Sequence, residues 1–218
     1  MRERRVILIL GSQGCGKTSV AKALYGRAMS RRERVHILDR NGNLGGSWPA
    51  NDDVDDWLAQ RLAASGERRP TFLVLDDADD YLEHPLPKRS PFKSLFLRNR
   101  HLQMDVIVTA RRAQGLPGQL LSSVDYLYVF ALSSADTRGR KRILEIAPGL
   151  QFPAEKYRFV RWEPKTLDGN AVSGRTLARG GYQLDGQPAQ EQAEPPSPDD
   201  QPAPASAPPA AEVPAEPT

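Results

Sequence analysis

An α/β fold, with a mainly parallel central sheet and helices on both faces, follows from three features of this sequence. Short apolar, β-rich runs alternate with stretches of helical periodicity over most of the chain, the order that yields strand–helix–strand crossovers. The first run, residues 6–10 (VILIL), is apolar at every position, as a strand buried on both faces must be. A glycine-rich turn then joins that run directly to a helical pattern, so the chain reverses over one face of the sheet.

Taken in order, residues 19–29 (SVAKALYGRAM) place Val20, Leu24 and Ala28 on one side of a helix. Residues 35–38 read as a second short strand ending in Asp39, and NGNLGG after it as a loop. Val54, Trp57, Leu58 and Leu62 fall at helical spacing behind the acidic residues 52–56, which suit the positive end of a helix dipole better than a metal site, since no His or Cys accompanies them. Residues 72–75 predict a strand, followed by a proline-bearing loop and a helix over residues 91–101. Strands are expected at 105–109 and 126–131, a basic helix at 136–147 and a last strand at 157–162.

Composition divides the chain. All 30 Lys and Arg residues precede position 183, whereas seven of the 27 acidic residues follow it, so residues 1–182 carry net +10 and residues 183–218 net −7. The later segment holds ten prolines and many alanines, and too little apolar surface to offset the entropy of ordering it. A folded domain over 1–182 and a disordered Pro/Ala-rich acidic tail over 183–218 are expected. A body this basic suits a polyanion, nucleic acid above all, although an arginine-rich solvated surface would look the same. One cysteine, Cys15, excludes an internal disulfide. Apolar runs are too short for a membrane span or a signal peptide core, so a cytoplasmic location is expected.

Residues 11–18 (GSQGCGKT) fit G-x-x-x-x-G-K-[ST] at every required position, and the context of strand before and helix after is met. Chance would produce the pattern in roughly one chain in a hundred of this length. Gly11, Ser12, Gln13, Gly14, Cys15, Gly16, Lys17, Thr18 and Ser19 are the candidate nucleotide-binding residues. The glycines let successive backbone N–H groups converge on phosphate oxygens, Lys17 brings a charge to the β- and γ-phosphates, and the Thr18 hydroxyl is a Mg²⁺ ligand. ATP or a close relative with Mg²⁺ is the expected ligand pair. In TFLVLDDAD, residues 71–79, an apolar strand delivers Asp76 to the sheet's carboxyl edge, where an acid would hold the Mg²⁺ shell. Asp77 follows as a candidate general base, with two loop-capping aspartates as the alternative.

Residues 94–132 (SLFLRNRHLQMDVIVTARRAQGLPGQLLSSVDYLYVFAL) extend the pattern. Arg98, Asn99, Arg100 and His101 precede one strand, Thr109, Ala110, Arg111 and Arg112 end it, and Val129 and Phe130 close the next. Together with the two motifs above, this resembles the FtsK/HerA superfamily of DNA-pumping ATPases, including genome-packaging ATPases of membrane-containing viruses, over roughly residues 5–165. The resemblance implies a RecA-like P-loop NTPase fold. It also implies an arginine finger, best matched by Arg100 and next by Arg98, and sensor positions at Thr109, Arg111 and Arg112. Two departures stand: Ala113 replaces the proline expected after the arginine pair, and Arg111 stands where a glutamine is common. Asp39 matches an acidic position of HerA-like members, and equally a strand-end turn residue.

The expectation is therefore an ATP-hydrolysing motor that moves double-stranded DNA as a homo-oligomeric ring, with a viral capsid as the expected destination. A capsid or membrane-vertex protein would then be a further partner, and the host cytoplasm or the virion its location. The alternatives are a small nucleotide or metabolite kinase, whose arginine lid residues 138–142 could mimic, and a nucleotide-dependent switch whose tail docks a partner. The Asp76–Asp77 pair tells against the kinase, which has no use for an activated water.

Overall fold

The computed structural model describes residues 4–181, apart from 32, 65–69, 83, 99–100 and 168–170. The expected tail, 183–218, lies outside the described residues, as does Arg100.

Seven strands form one sheet in the order β2-β3-β4-β1-β5-β6-β7. They are β1 (Val6–Leu10), β2 (Val35–Leu38), β3 (Phe72–Leu75), β4 (Asp105–Ala110), β5 (Tyr126–Phe130), β6 (Arg158–Leu167) and β7 (Ala171–Gly181). The first five in spatial order are parallel, and β6 and β7 return antiparallel on the β5 side. The helices are α1 (Lys17–Ser30), α2 (Val54–Ala63), α3 (Pro91–Arg98), α4 (Gly118–Ser122) and α5 (Thr137–Ile146). A mainly parallel sheet covered on both faces is thus borne out.

Each strand distributes its side chains between two cores, because successive residues point to opposite faces. Ile9, Val74, Ile107 and Phe130 meet Val20, Ala21, Tyr25 and Ala28 of α1 on one face. Leu8, Leu10, Leu73, Leu75, Val106 and Val108 meet Trp57, Leu58, Phe92, Phe96, Leu120 and Ile143 from α2–α5 on the other. Phe96 is 1% exposed, and truncation to Ala would cost about 3–5 kcal/mol in transfer and cavity terms. All six residues of β4 and all four of β3 are buried, as interior strands require, whereas β2 at the edge is half-buried for three of its four.

The acidic cluster does cap a helix: the Asp53 carboxylate accepts the N–H of Asp56 at 2.8 Å at the start of α2. Asp136 does the same for α5, accepting from Gly139 N at 2.9 Å. Helix α3 ends at Arg98, short of the expected 101, and Gln103 takes a left-handed φ of 52° in the turn into β4. Two elements were not expected: α4, and the hairpin partner β7, with β6 running on to Leu167 instead of 162.

Candidate active site

Parallel strands bring their carboxyl ends, and the loops that follow, to one edge of the sheet. Strand β4 lies between β1 and β3 and sets the site's layout. Thr109 is level with Ile9, just before the phosphate loop, while Val108 is level with Leu75, just before Asp76.

The loop between β1 and α1 is tightly built. A Cβ on Gly11 would stand 2.5 Å from Cys15 Sγ and 2.6 Å from Phe130 Cβ, so no larger residue fits while β5 is in place. Gly16 caps α1 at φ 106°, a conformation glycine adopts without penalty. The cap makes no side-chain hydrogen bond and the first turn of α1 holds no acidic residue, so the helix offers its first N–H groups and positive dipole end to an anion. Lys17 is 7% exposed, and its Nζ donates to Gly11 O at 3.0 Å and Ser12 O at 3.2 Å. Those carbonyls hold the ammonium without neutralising it, and among the described residues Lys17 has no carboxylate ion-pair partner. Cys15 is wholly buried and burial pushes its thiol pKa up, so it packs the loop and is no nucleophile. Gln13, Gly14 and Ser19 are exposed and Thr18 is half-buried in the first turn of α1.

Across β4 stands the acid pair. Asp76 is 3% exposed and Thr109 fully buried; the Thr109 hydroxyl donates to Asp76 Oδ1 at 2.6 Å and accepts the Asp77 N–H at 2.9 Å. Thr109 therefore fixes both acidic residues at once. Burial raises the Asp76 pKa, the Asp77 and Asp39 charges add to it, and the Thr109 bond and Lys17 oppose it. Asp77 adopts a left-handed φ of 44°, uncommon for a residue with a side chain, and its Oδ2 accepts from Asn41 Nδ2 at 3.3 Å.

The acid pair, Thr109 and Lys17 thus converge, and the other expected residues divide. Arg111 is engaged within its own chain: its backbone N–H donates to Asp79 Oδ1 at 2.9 Å and its guanidinium pairs with Asp79 and Asp80. Arg112 is exposed. Arg98, exposed at the last residue of α3, precedes the start of β4 and so stands at the sheet edge opposite the phosphate loop, about 20 Å away along six strand residues. Asp39 organises the turn after β2, its carboxylate accepting from the N–H groups of Asn41, Asn43, Leu44 and Gly46. Two contributors carry no sequence signal. One is Asn41; the other is Lys156, whose Nζ lies 3.9 Å from where a Cβ on Gly14 would stand.

The donor set suits a hard cation held jointly with phosphates. Thr18 and Asp76 offer a hydroxyl and a carboxylate oxygen, and a buried carboxylate beside two like charges gains from a nearby positive ion. Among the described residues no group of three or more His, Cys, Asp or Glu could hold a metal ion by itself. Magnesium fits that pattern, because it keeps several waters and binds through one or two protein oxygens plus substrate phosphates.

Sheet order, phosphate loop and acid-bearing strand together define the class: a P-loop NTPase of RecA-like fold. Within that class the chain resembles the FtsK/HerA superfamily, as its motifs imply, and two comparisons bear this out. The family model of the type IV secretion-system coupling protein DNA-binding domain matches residues 1–103. The genome packaging NTPase B204 of Sulfolobus turreted icosahedral virus 2, solved in complex with AMPPCP, superposes with a TM-score of 0.60 at 15% identity, covering 75% of this chain and 94% of that one. ATPases 2 and 3 of EssC from Geobacillus thermodenitrificans give 0.55 at 17% identity, over 77% of this chain and 38% of that one. The cytoplasmic domain of the type VII secretion ATPase EccC from Thermomonospora curvata gives 0.50 at 14%, over 79% and 24%. No curated protein matches the chain in sequence. Among the described residues, no helix is long and apolar enough to cross a membrane.

Proposed function

We propose that this protein is an ATP-hydrolysing motor that translocates double-stranded DNA, and that viral genome packaging is its setting. One observation carries the ATPase reading: an acid pair, held by Thr109, faces the phosphate loop across a single strand. The α1 N-terminus and loop N–H groups would bind the phosphates. Lys17 would exchange its two carbonyl contacts for phosphate oxygens, a charge-assisted gain that occurs only with nucleotide bound. Lys156 would add a second positive charge on the outer side of the loop. Thr18 and Asp76 would hold magnesium, which neutralises charge on the phosphates. Asp77, oriented by Asn41 and the Thr109 bond, would accept the proton of the attacking water.

Arg100 is proposed as the finger, with Arg98 second, each acting on a neighbouring copy's nucleotide. The position of Arg98, at the edge opposite its own phosphate loop, agrees with action between subunits and therefore with a ring. The DNA reading rests on the coupling-protein family match over residues 1–103, the fold shared with packaging ATPases and the +10 charge of residues 1–182. Against a kinase lid, α5 packs on the body of the sheet. Ile143 and Ala147 are buried, and Arg142 donates to Ala113 O and Gln114 O at 3.4 and 2.6 Å.

A triplex-displacement assay tests the reading. A motor should strip a third strand from duplex DNA with ATP, with a lag that grows with the distance to the triplex. ATP-dependent turnover without displacement on any duplex would defeat the translocase reading.

A further inference from the structure

We propose that a cleft at the sheet edge opposite the nucleotide site grips a phosphodiester of the nucleic-acid backbone. The cleft, of about 190 Å³, opens between the last turns of α1 and the starts of β1 and β5, with β6 alongside. With a water's share of liquid volume at roughly 30 Å³, it has room for one phosphate and part of its sugar. Helix α1 is 14 residues long, so the cleft stands about 20 Å from the phosphate loop and is a separate site.

Arg5, Arg27, Arg31 and Arg161 line it, and Asp105 is the sole carboxylate among the lining residues. That carboxylate is committed: it accepts from Arg4 Nη1 at 3.2 Å and from the Arg5 backbone N–H at 2.8 Å. Arg31 reaches Glu33 only at 4.0 Å, and Arg5, Arg27 and Arg161 have no carboxylate partner among the described residues. Tyrosines hold two of these guanidiniums in place. Arg5 and Arg161 lie 4.8 and 4.7 Å from the Tyr126 ring centroid, and Arg161 also 5.9 Å from that of Tyr128. A cation–π contact orients a guanidinium without cancelling its charge. Arg161 Nε is moreover buried with no hydrogen-bond partner among the described residues, a donor left without a hydrogen bond to offset its desolvation. The negative end of the α1 dipole would account for Arg27 and Arg31 alone. It does not account for Arg5 and Arg161, which come from two other elements to the same cleft. Convergent guanidiniums backed by aromatic rings match a backbone phosphate with its apolar sugar edge.

This inference rests on the DNA reading above, and fluorescence anisotropy with a labelled 30-base-pair duplex separates the two. The variant reverses two exposed arginines, Arg27→Glu in the last turn of α1 with Arg31→Glu at its C-cap, which bury nothing. A charge-matched control, Arg138→Glu with Lys141→Glu, lies on α5 across the sheet. The cleft variant should bind at least tenfold more weakly than the control, with the slope of log K against log salt reduced by about 1, at ~0.9 per phosphate contact. Equal binding by cleft variant and wild type, or equal loss in both variants, would overturn the cleft and leave the DNA reading intact. Wild-type protein that binds no duplex would defeat both. Inorganic pyrophosphate is titrated as the second probe. If it bound at the cleft while duplex did not, the ligand would be a free phosphate and the phosphodiester assignment would be overturned.

Discussion

Replacing Thr109 by Val keeps the shape of a fully buried side chain and removes only its hydroxyl, so it isolates the bridge between the two acids. Two hydrogen bonds go: the 2.6 Å bond to Asp76 and the 2.9 Å bond that satisfies the Asp77 N–H. A hydrogen bond to a charged group contributes about 1.5–3 kcal/mol, and a donor left unpaired away from water costs ~1–3 kcal/mol. These are not additive, and a net loss of about 3 kcal/mol is expected. At ~2–4 °C per kcal/mol for a domain of this size, Tm should fall by 6–12 °C. The Asp76 pKa should rise further, because the bond that favours its charged form is gone. Thermal unfolding followed by circular dichroism reads the stability, and phosphate release reads turnover, which should fall as Asp77 loses its anchor. Thr109→Ser restores the hydroxyl and should recover most of both. A Tm within 2 °C of wild type for Thr109→Val, or no recovery in Thr109→Ser, would refute the bridging role.

Lys17→Ala should abolish phosphate release, and an unaffected rate would defeat the site assignment. Asp76→Asn should lose Mg²⁺-dependent turnover, whereas Asp77→Asn should bind nucleotide in equilibrium dialysis yet cleave it 10²–10⁴-fold more slowly, the usual contribution of a general base; failure of the second to bind would mean the two roles are reversed. Arg100→Ala subunits should bind ATP, lack turnover alone and poison mixed rings in proportion to their fraction, and undiminished activity in the mixtures would remove the finger. Deleting residues 183–218 should leave Tm and turnover nearly unchanged, given their composition, and a large drop would show that they pack on the body. Burial, then the Arg61 and Arg34 charges, hold the His36 pKa below its ordinary 6.5. The unfolded chain then binds more protons between the folded pKa and 6.5, so stability rises with pH through that window and is lost on acidification. Tm should drop more steeply from pH 7.5 to 5.5 in wild type than in His36→Gln, and parallel curves would contradict this.

Much of this fold is written in local pattern. Strands β1 and β3 are interior and read as unbroken apolar runs, β4 reads as an apolar VIV between Asp105 and Thr109, and the phosphate loop carries its own fixed spacing. Asp53 and Asp136 announce their helices by position alone. Strand β7 is different: AVSGRTLARGG offers few large apolar residues, and its place is set by backbone pairing with β6. Long-range contacts were equally unreadable. Lys156 reaches the phosphate loop only because β6 turns back antiparallel beside β5. The resemblance makes Arg111 a sensor candidate, yet two nearby carboxylates, Asp79 and Asp80, hold it in an ion pair. For Asp39, resemblance and turn chemistry pointed to different roles, and four backbone N–H donors identify the turn.

The most direct test of the motor reading is the steady-state rate of phosphate release with and without long duplex DNA, at protein concentrations spanning ring assembly. The account predicts that activity per subunit rises with protein concentration. It also predicts that duplex stimulates the rate, independently of sequence and with steep sensitivity to salt. A monomer whose turnover ignores DNA and is stimulated instead by a small phosphate acceptor would contradict the account and establish a kinase.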